Sequence, residues 1–437
     1  MGRTFSAGGW RQGWRRAQRD RPLGKGRLGD VWATGGQTSS VACGRQVDRP
    51  IRCGGTGDRW TDLFGGVRGC LPLRGAGSGA WWGMTRGAGT NPQNPFERLR
   101  FEEDPEAVAE MRRADPEWEP LSPKTVFYED DTQSLITRND SPDLSFEASL
   151  NPYRGCEHGC SYCYARRYHE YLGFSAGLDF ETKIMVKTKA AALLRAEMSR
   201  ESWQPRKLAL SGVTDCYQPV ERRLRITRGC LEVLADFRNP VVVITKNHLV
   251  TRDADLLAEL ASHRAAAVLV SITSLDRELA RTLEPRASGP AMRLDTIRIL
   301  AEARVPCGVS VAPLIPGLND HEMPAILEAA RGVGATFATW SMVRLPGSGA
   351  EVFTEWLGRQ VSPVKQATIL ERIRELHGGR LNDTRPLVRM RGEGPRAEQT
   401  ALLFRAVARR LGFAGTRPEV TTEAFRRREA GQLELDL

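Results

Sequence analysis

Three cysteines within eight residues constrain this chain more than any other feature of its sequence. Cys156, Cys160 and Cys163 have the spacing C-x3-C-x2-C, and no fourth cysteine follows nearby. Thiolates are soft ligands, so this density in one loop favours an iron–sulfur or zinc site over a disulfide. A four-iron cube with three protein ligands leaves one iron open to a small molecule. Zinc would instead take His158 or His169 as its fourth ligand, and an incidental cysteine-rich loop is the third interpretation.

Short β-rich runs alternate with longer helical patterns through the middle of the chain. Several runs are almost continuously apolar, which is typical of parallel strands covered on both faces. Six such βα units predict an α/β fold, a partial (β/α)6 TIM-like barrel, with the cysteine loop directly after the first strand, at the end of the barrel where sites lie. The predicted strands are 145–150, 207–213, 241–246, 267–273, 308–314 and 336–343, and the predicted helices are 189–199, 224–237, 253–262, 293–303 and 321–332.

The remaining chain divides around this core, which we assign to residues 145–345. Residues 84–144 form a polar, acidic lead-in with one short apolar piece near 124–128. Residues 346–437 form a helical C-terminal extension, with helices predicted at 363–377 and 396–411. These helices could cover the open edge of the barrel or contribute to a substrate site, and the sequence does not choose between the two roles.

Residues 1–83 carry nearly all of the excess positive charge. They hold fourteen Lys and Arg against five Asp and no Glu, which is +9 of the net +10 of the whole chain. They also hold 20 of the 43 glycines and six of the ten tryptophans, without a helical or strand period. Such Arg- and Gly-rich tails can bind RNA. We expect instead a disordered leader or upstream sequence translated from a misassigned start.

The composition excludes several classes of protein. The longest apolar runs are too short to span a membrane, and the arginine-containing N-terminus lacks the apolar stretch of a secretory signal. Nine cysteines, most of them scattered singly, argue against a secreted disulfide framework. The expected location is the reduced cytoplasm.

With Tyr162 directly before its last cysteine, the motif resembles the signature of the radical S-adenosylmethionine (SAM) superfamily. The stretch after Met84, beginning Thr85-Arg86-Gly87, resembles the N-terminus of bacterial relatives of spore photoproduct lyase. The resemblance implies that the three cysteines ligate a 4Fe-4S cluster and that S-adenosyl-L-methionine chelates the open iron. One electron from the reduced cluster then cleaves the sulfonium and yields a 5′-deoxyadenosyl radical.

The same resemblance assigns further residues to SAM. Lys246 ends the third strand and would meet the SAM carboxylate, although a solvated lysine at a strand end is the alternative. Tyr164 could equally be an aromatic side chain that anchors the loop. A stretch from Glu284 to Arg293 also resembles the lyase-like branch, without an evident chemical role. The residues assigned to SAM are Tyr162, Tyr164, Thr214, Asp215, Lys246, Ser271 and Thr273.

Cys216 is the candidate catalytic residue. Spore photoproduct lyases carry a cysteine two residues before their Thr/Ser-Asp pair, and this thiol returns a hydrogen atom to the product radical. Gly212 occupies that position here, and Cys216 lies just beyond Asp215. Cys216 could reach the radical from the loop, or it could be a buried small hydrophobe, the commoner fate of a free cysteine. The missing thiol predicts that the chain is not itself a spore photoproduct lyase.

The branch-level resemblance implies a radical SAM enzyme that acts on nucleic acid, takes its electron from a flavodoxin- or ferredoxin-type donor, and is a monomer without a membrane partner. A radical SAM enzyme acting on a protein or small molecule is the second hypothesis. A non-catalytic zinc or RNA-binding module is the third.

Overall fold

The structure, a computed structural model, describes residues 86–96, 124–144, 146–414 and 420–427. The predicted leader at 1–83 lies outside the described residues, as do parts of the lead-in and of the charged tail. Among the helices in these ranges, none combines the length and the hydropathy that crossing a bilayer requires.

The strands form two sheets in the described ranges. Six strands of the larger sheet are parallel and lie side by side in chain order, and β2 adds an antiparallel strand beyond β3. The smaller sheet pairs β5 with β1 and β4. In chain order the strands are β1 (Val126–Glu129), β2 (Ile136–Arg138), β3 (Ala148–Leu150), β4 (Tyr153–Arg154), β5 (Lys183–Val186), β6 (Leu208–Leu210), β7 (Val241–Thr245), β8 (Ala266–Ser271), β9 (Cys307–Leu314) and β10 (Phe337–Met342).

Helices connect the parallel strands, as a βα repeat requires. The helices are α1 (Arg167–Glu170), α2 (Leu178–Thr182), α3 (Ala190–Ser199), α4 (Glu221–Leu224), α5 (Ile226–Phe237), α6 (Ala254–Ser262), α7 (Arg277–Leu283), α8 (Pro290–Glu302), α9 (Met323–Gly332), α10 (Gly349–Gln360), α11 (Pro363–Leu376), α12 (Val388–Arg391) and α13 (Pro395–Arg410). Short 3-10 turns occupy Tyr164–Arg166, His248–Asp253 and Asp320–Glu322.

The partial barrel predicted from the sequence is confirmed. All six residues of β8 are buried. Val268 and Val270 pack in the main core with the helices, whereas Ala267 and Leu269 pack against Phe337 of β10. The second predicted strand, 207–213, is shorter in the structure and ends at Leu210. Ser211 and Gly212 have φ angles of 95° and 114° and turn the chain out of the sheet. This turn brings the residues that follow β6 over the end of the barrel.

The main core lies between the barrel strands and the helices around them. Val243 and Val309 of the sheet, and Leu234 and Leu300 of the helices, are fully buried in one cluster. Replacing one of these leucines by alanine would cost about 2–5 kcal/mol. The barrel therefore provides a rigid base for the loops at its open end.

The C-terminal extension contacts the barrel in two places. On α13, Phe404 joins the main core and lies 6.0 Å, ring centre to ring centre, from Trp340 of β10. On α10, Phe353 and Trp356 share a second apolar cluster with Cys160. The extension thus covers one edge of the barrel and also packs against the cysteine loop. The helices predicted at 363–377 and 396–411 match α11 and α13, whereas α10 was not predicted.

Candidate active site

The cysteine loop begins where β3 ends, at the carboxyl end of the parallel strands. Cys156 and Cys160 are 7% and 8% exposed, and Cys163 is half-buried. All three thiols are free. A soft donor set of this kind, buried at the mouth of a barrel, fits an iron–sulfur cluster.

Two glycines give the loop its shape. Gly155 and Gly159 have φ angles of 77° and 67°, a region in which other residues are strained. The turns between the cysteines are closed by backbone hydrogen bonds, from Cys163 N to Cys160 O at 3.2 Å and from Gly159 N to Cys156 O at 3.4 Å. The backbone thus presents three thiols from one short, folded segment.

A buried ion pair packs against the cysteine loop and fixes its backbone. Arg166 donates from Nη2 to Glu181 at 2.6 Å, and both side chains are fully buried. The same guanidinium donates to the carbonyl of Cys160 from Nε at 3.1 Å and from Nη2 at 2.9 Å. Because a planar guanidinium has fixed donor directions, this arrangement sets the position of the Cys160 peptide.

Both ring nitrogens of His158 have polar partners in the protein. Nδ1 lies 3.4 Å from Asp215 Oδ2, and Nε2 lies 3.0 Å from the side-chain amide of Asn247. Burial lowers the pKa of His158 to about 4, so the ring is neutral. A ring engaged in this way offers no lone pair to a metal at the cysteines.

His169, the other candidate zinc ligand, packs between two aromatic rings. Its ring centre lies 5.1 Å from that of Phe174 and 5.6 Å from that of Phe180. In the part of the chain that the structure describes, no three His, Cys, Asp or Glu side chains form a group that could hold a single metal ion. A four-iron cube differs, because each thiolate binds a different iron at its own corner.

The thiols lie in a strongly desolvated environment. Burial raises the pKa of Cys160 to about 12 and raises the pKa of Cys156 well above its usual value. Such thiols stay protonated in the free protein, and a bound iron must displace their protons. Ser161 next to Cys160 is also fully buried, and its hydroxyl has no hydrogen-bond partner in the described structure. The site therefore contains polar atoms that the described residues leave unsatisfied.

Lys246 follows β7 and points over Tyr162. Its ammonium lies 5.8 Å from the centre of the Tyr162 ring, and within the described residues it has no hydrogen bond or ion pair. Burial would lower the pKa of Lys246, but the surrounding negative charge, to which Glu284 and Asp215 contribute, outweighs it and raises the pKa. A charged, unpaired ammonium at the mouth of the barrel is suited to binding an anion.

Tyr162 belongs to a buried polar network. Its hydroxyl donates to Glu284, which also accepts from Thr273 Oγ1 at 2.7 Å and pairs with Arg293. Burial would raise the pKa of Glu284, but Arg293 and Lys246 outweigh it and lower the pKa. Arg293 also donates to the carbonyl of Ser271 at 3.0 Å. Glu284 and Arg293, whose role the sequence left open, are thus the centre of the network.

Asp215 and Thr214 form hydrogen bonds with the backbone of neighbouring loops. Asp215 accepts from Lys246 N at 2.8 Å and from Thr245 Oγ1 at 2.8 Å. The hydroxyl of Thr214 donates to the carbonyl of Tyr153 at 3.0 Å. Both residues join the end of β6 to neighbouring loops. Their assignment to SAM stays a prediction, as do those of Ser271, which is 5% exposed, and of Thr273.

Tyr164 bridges two strand ends. Its hydroxyl donates to the carbonyl of Gly212 after β6, and the guanidinium of Arg344 after β10 lies 5.1 Å from the centre of its ring. The ring thus lies between the two strand ends and next to Cys163. The structure supports the loop-anchoring interpretation, and a direct contact with SAM stays a prediction.

Cys216 is fully buried and belongs to the main apolar core. Its carbonyl accepts from Thr227 Oγ1 at 2.6 Å, which ties it to α5. This environment favours a packing role, and catalysis by Cys216 stays a prediction.

The Arg166–Glu181 pair was not predicted from the sequence. The stretch after Met84 was noted for its resemblance, but its packing beside this pair was not predicted. Arg166 lies three residues after Cys163, but an arginine in a loop carries no signal of burial. Asn319 was also missed, and its side-chain amide donates to the carbonyl of Thr273 at 2.7 Å and to that of Pro313 at 3.0 Å.

Known proteins that are similar in sequence to this chain include two that are described as uncharacterized. An uncharacterized protein of Mycobacterium tuberculosis is 39% identical over 236 residues, which are 54% of this chain and 68% of that protein. An uncharacterized protein of Methanocaldococcus jannaschii is 28% identical over 173 residues, which are 40% of this chain and 62% of that protein.

The fold has a counterpart among solved structures. A mutant of spore photoproduct lyase matches 68% of this chain and 82% of its own, with a TM-score of 0.50 and 16% sequence identity. At this identity the likeness shows the fold alone. The sequence model of the radical SAM superfamily matches residues 150–330, from the end of β3 into α9. Members of this superfamily use a 4Fe-4S cluster and SAM, and their three-cysteine motif coincides with the buried loop described above. The chain belongs to the radical SAM superfamily.

Proposed function

We propose that this chain binds a 4Fe-4S cluster through Cys156, Cys160 and Cys163 and cleaves SAM reductively. The observation that carries the proposal is the set of three free thiols, two buried and one half-buried, at the mouth of a six-stranded parallel barrel. When bound, the cluster supplies the electron that converts SAM to methionine and a 5′-deoxyadenosyl radical.

The residues around the loop bind and orient the second cofactor. The Lys246 ammonium, which has no anionic partner in the described structure, pairs with the SAM carboxylate. The hydroxyl of Tyr162 contacts Glu284 and Thr273, so the ring is held in place beside the Lys246 ammonium. Ser271 and Thr273 supply further contacts from the end of β8. Fixed side chains of this kind exclude water from the reacting atoms.

For the substrate we propose a nucleic acid, bound in part by Arg344. This residue follows β10, and its guanidinium lies over Tyr164. Its Nη1 contacts only the sulfur of Met390 at 3.4 Å, and its buried Nε has no hydrogen-bond partner in the residues described. Burial lowers the pKa of Arg344, but an arginine stays charged. A phosphodiester would supply the missing acceptor.

The proposal extends to the partners of the enzyme. Radical SAM enzymes need an electron donor, and we propose one of the flavodoxin or ferredoxin type. We also propose a cytoplasmic monomer. The six cysteines of the described ranges are all free thiols, which fits a reducing compartment.

Anaerobic reconstitution tests the chemistry. The full-length protein, incubated with iron and sulfide, should become brown and bind about four irons per chain. With dithionite and SAM it should then form 5′-deoxyadenosine, measured by chromatography. A colourless protein that binds zinc and forms no 5′-deoxyadenosine would contradict the proposal and favour the zinc module.

Substrate stimulation tests the nucleic-acid assignment. Single-stranded DNA, duplex DNA and RNA, each with and without ultraviolet irradiation, are added to the reconstituted enzyme with SAM. We expect one of these to accelerate 5′-deoxyadenosine formation and to exchange hydrogen for deuterium in deuterated water. Stimulation by a peptide or small-molecule extract, with no effect of any nucleic acid, would favour the second hypothesis.

A further inference from the structure

Residues 86–96, far from the cysteines in sequence, lie directly against the cysteine loop. The backbone N–H groups of Gly87 and Ala88 donate to the two carboxylate oxygens of Glu181, at 3.1 Å and 2.8 Å. Gly87 and Ala88 are buried. Each buried N–H group thus donates to a charged acceptor. Hydrogen bonds to a charged group are stronger than those between neutral groups.

The contact is between two backbones, without room for a side chain. A Cβ atom on Gly87 would stand 1.6 Å from the carbonyl oxygen of Gly159, which lies between Cys156 and Cys160. A Cβ atom on Gly159 would in turn stand 2.7 Å from the Glu181 carboxylate. Because the atom facing Gly87 belongs to the backbone, it cannot move aside without moving the cysteine loop.

Glu181 connects the segment to a cysteine. Its Oε1 accepts from Ala88 and also from Arg166, and Arg166 donates to the carbonyl of Cys160. A continuous series of buried polar contacts therefore leads from residue 88 to a cysteine of the loop. Buried networks of this kind hold their members in one arrangement.

The far side of the segment is fixed by the C-terminal extension. Arg359 of α10 donates to the carbonyl of Gly87 at 3.2 Å, and Thr90 donates to Glu355 of the same helix at 3.1 Å. Asn91 exchanges hydrogen bonds with Asp179 of α2. The segment is thus held between the cysteine loop and α10.

We propose that residues 86–96 are part of the cluster-binding site: they position the peptide of Gly159, and with it Cys156 and Cys160, and shield the loop from solvent. Gly87, Glu181 and Arg166 are positioning residues that act through the backbone of the loop. The inference rests on the assignment of Cys156, Cys160 and Cys163 as the ligands.

The test compares glycine substitutions in the full-length chain. Gly87→Ala introduces the clash, and Gly332→Ala is the control, because a Cβ atom there has no atom within 4 Å. After anaerobic reconstitution, iron and sulfide are counted, and the loss of cluster absorbance in air is timed. Support around metal ligands is worth roughly ten- to a hundredfold in metal affinity. We expect Gly87→Ala to lose its cluster about tenfold faster, or to bind less iron, while Gly332→Ala matches wild type.

A second variant keeps the test decisive if Gly87→Ala does not fold. Arg359→Gln removes the bond to the Gly87 carbonyl, and Arg298→Gln, on the exposed face of α8, is its control. We expect several-fold faster cluster loss in the first, and a changed electron paramagnetic resonance spectrum of the reduced cluster, with neither change in the second.

Two outcomes overturn the inference. One is a wild-type iron content and air lifetime in a folded Gly87→Ala protein, and the other is the same result for Arg359→Gln when Gly87→Ala is unfolded. Failure of the proposed function gives a different result, since wild type itself would then bind no cluster, or Cys160→Ala would bind it normally.

Discussion

Arg293 and Glu284 form an ion pair in the interior of the site, with side chains 2% and 0% exposed. Substituting Arg293→Met leaves the carboxylate buried without its cation, and breaking a buried pair on one side costs about 3–5 kcal/mol. We expect this loss in the free energy of unfolding, measured with guanidinium. The exposed Arg298→Met variant should unfold like wild type, and equal stability of both variants would contradict the prediction.

Cys160→Ala should abolish cluster binding, because a cube with only three protein ligands depends on each of them. The matched control is Cys307→Ala, which removes a buried, free thiol in β9. Iron content and 5′-deoxyadenosine formation should be lost in the first variant and kept in the second. The same outcome is expected for Cys156→Ala and Cys163→Ala. Normal iron content in Cys160→Ala would remove that residue from the ligand set.

Lys246→Met should weaken SAM binding while the iron content stays at its wild-type value. Methionine keeps most of the side-chain length but removes the charge, and a charge-assisted bond is worth roughly 1.5–3 kcal/mol, about ten- to a hundredfold in affinity. Calorimetry with the reconstituted protein measures the change, and the exposed Lys365→Met variant is the control. Unchanged affinity would return Lys246 to the role of a solvated lysine at a strand end.

Arg344→Gln should weaken nucleic-acid binding at every sequence tested. Because a phosphate contact releases counterions, the slope of log affinity against log salt should become shallower by about one. Fluorescence anisotropy with a labelled single-stranded DNA at several salt concentrations provides both numbers. Arg409→Gln, at the exposed end of α13, is the control. An unchanged slope would argue that Arg344 contacts no phosphate.

Cys216→Ala separates packing from catalysis. Because the thiol is fully buried in the main core, we expect lower stability but unchanged 5′-deoxyadenosine formation and an unchanged product. A different product would assign the thiol a role in hydrogen transfer. Since Gly212 replaces the lyase thiol, we also expect no efficient repair of the thymine photoproduct, and efficient repair would contradict this.

The barrel could be predicted because its signal is local. Strands such as β7 and β8 are uninterrupted apolar runs, and their order in the sheet follows from the βα repeat. The small sheet of β1, β4 and β5 was missed, because two-residue strands such as Tyr153–Arg154 carry no period. Helix α10 did carry a signal, since Val352, Phe353, Trp356 and Leu357 have helical spacing.

The site was predictable only in part. Cysteine spacing predicted the three ligands that we propose, and Lys246 was singled out because a charge ends an apolar strand. The partners that hold these residues come from remote parts of the chain, as Glu181 and Gly87 show. A buried ion pair or a glycine that must approach another backbone depends on tertiary contacts, and a single sequence does not record them.

The residues that pack against the cysteine loop are far apart in the sequence, so the ribosome makes them at different times. Chains emerge from the ribosome amino end first, so residues 86–96 and the loop are made early. Helix α10, which holds Gly87 through Arg359 and contacts the loop with Phe353, emerges only after the ten strands of the described ranges. A nascent chain therefore lacks this part of the loop's surroundings until α10 is made, and we expect a cluster bound before that point to be lost more readily than one bound by the complete chain.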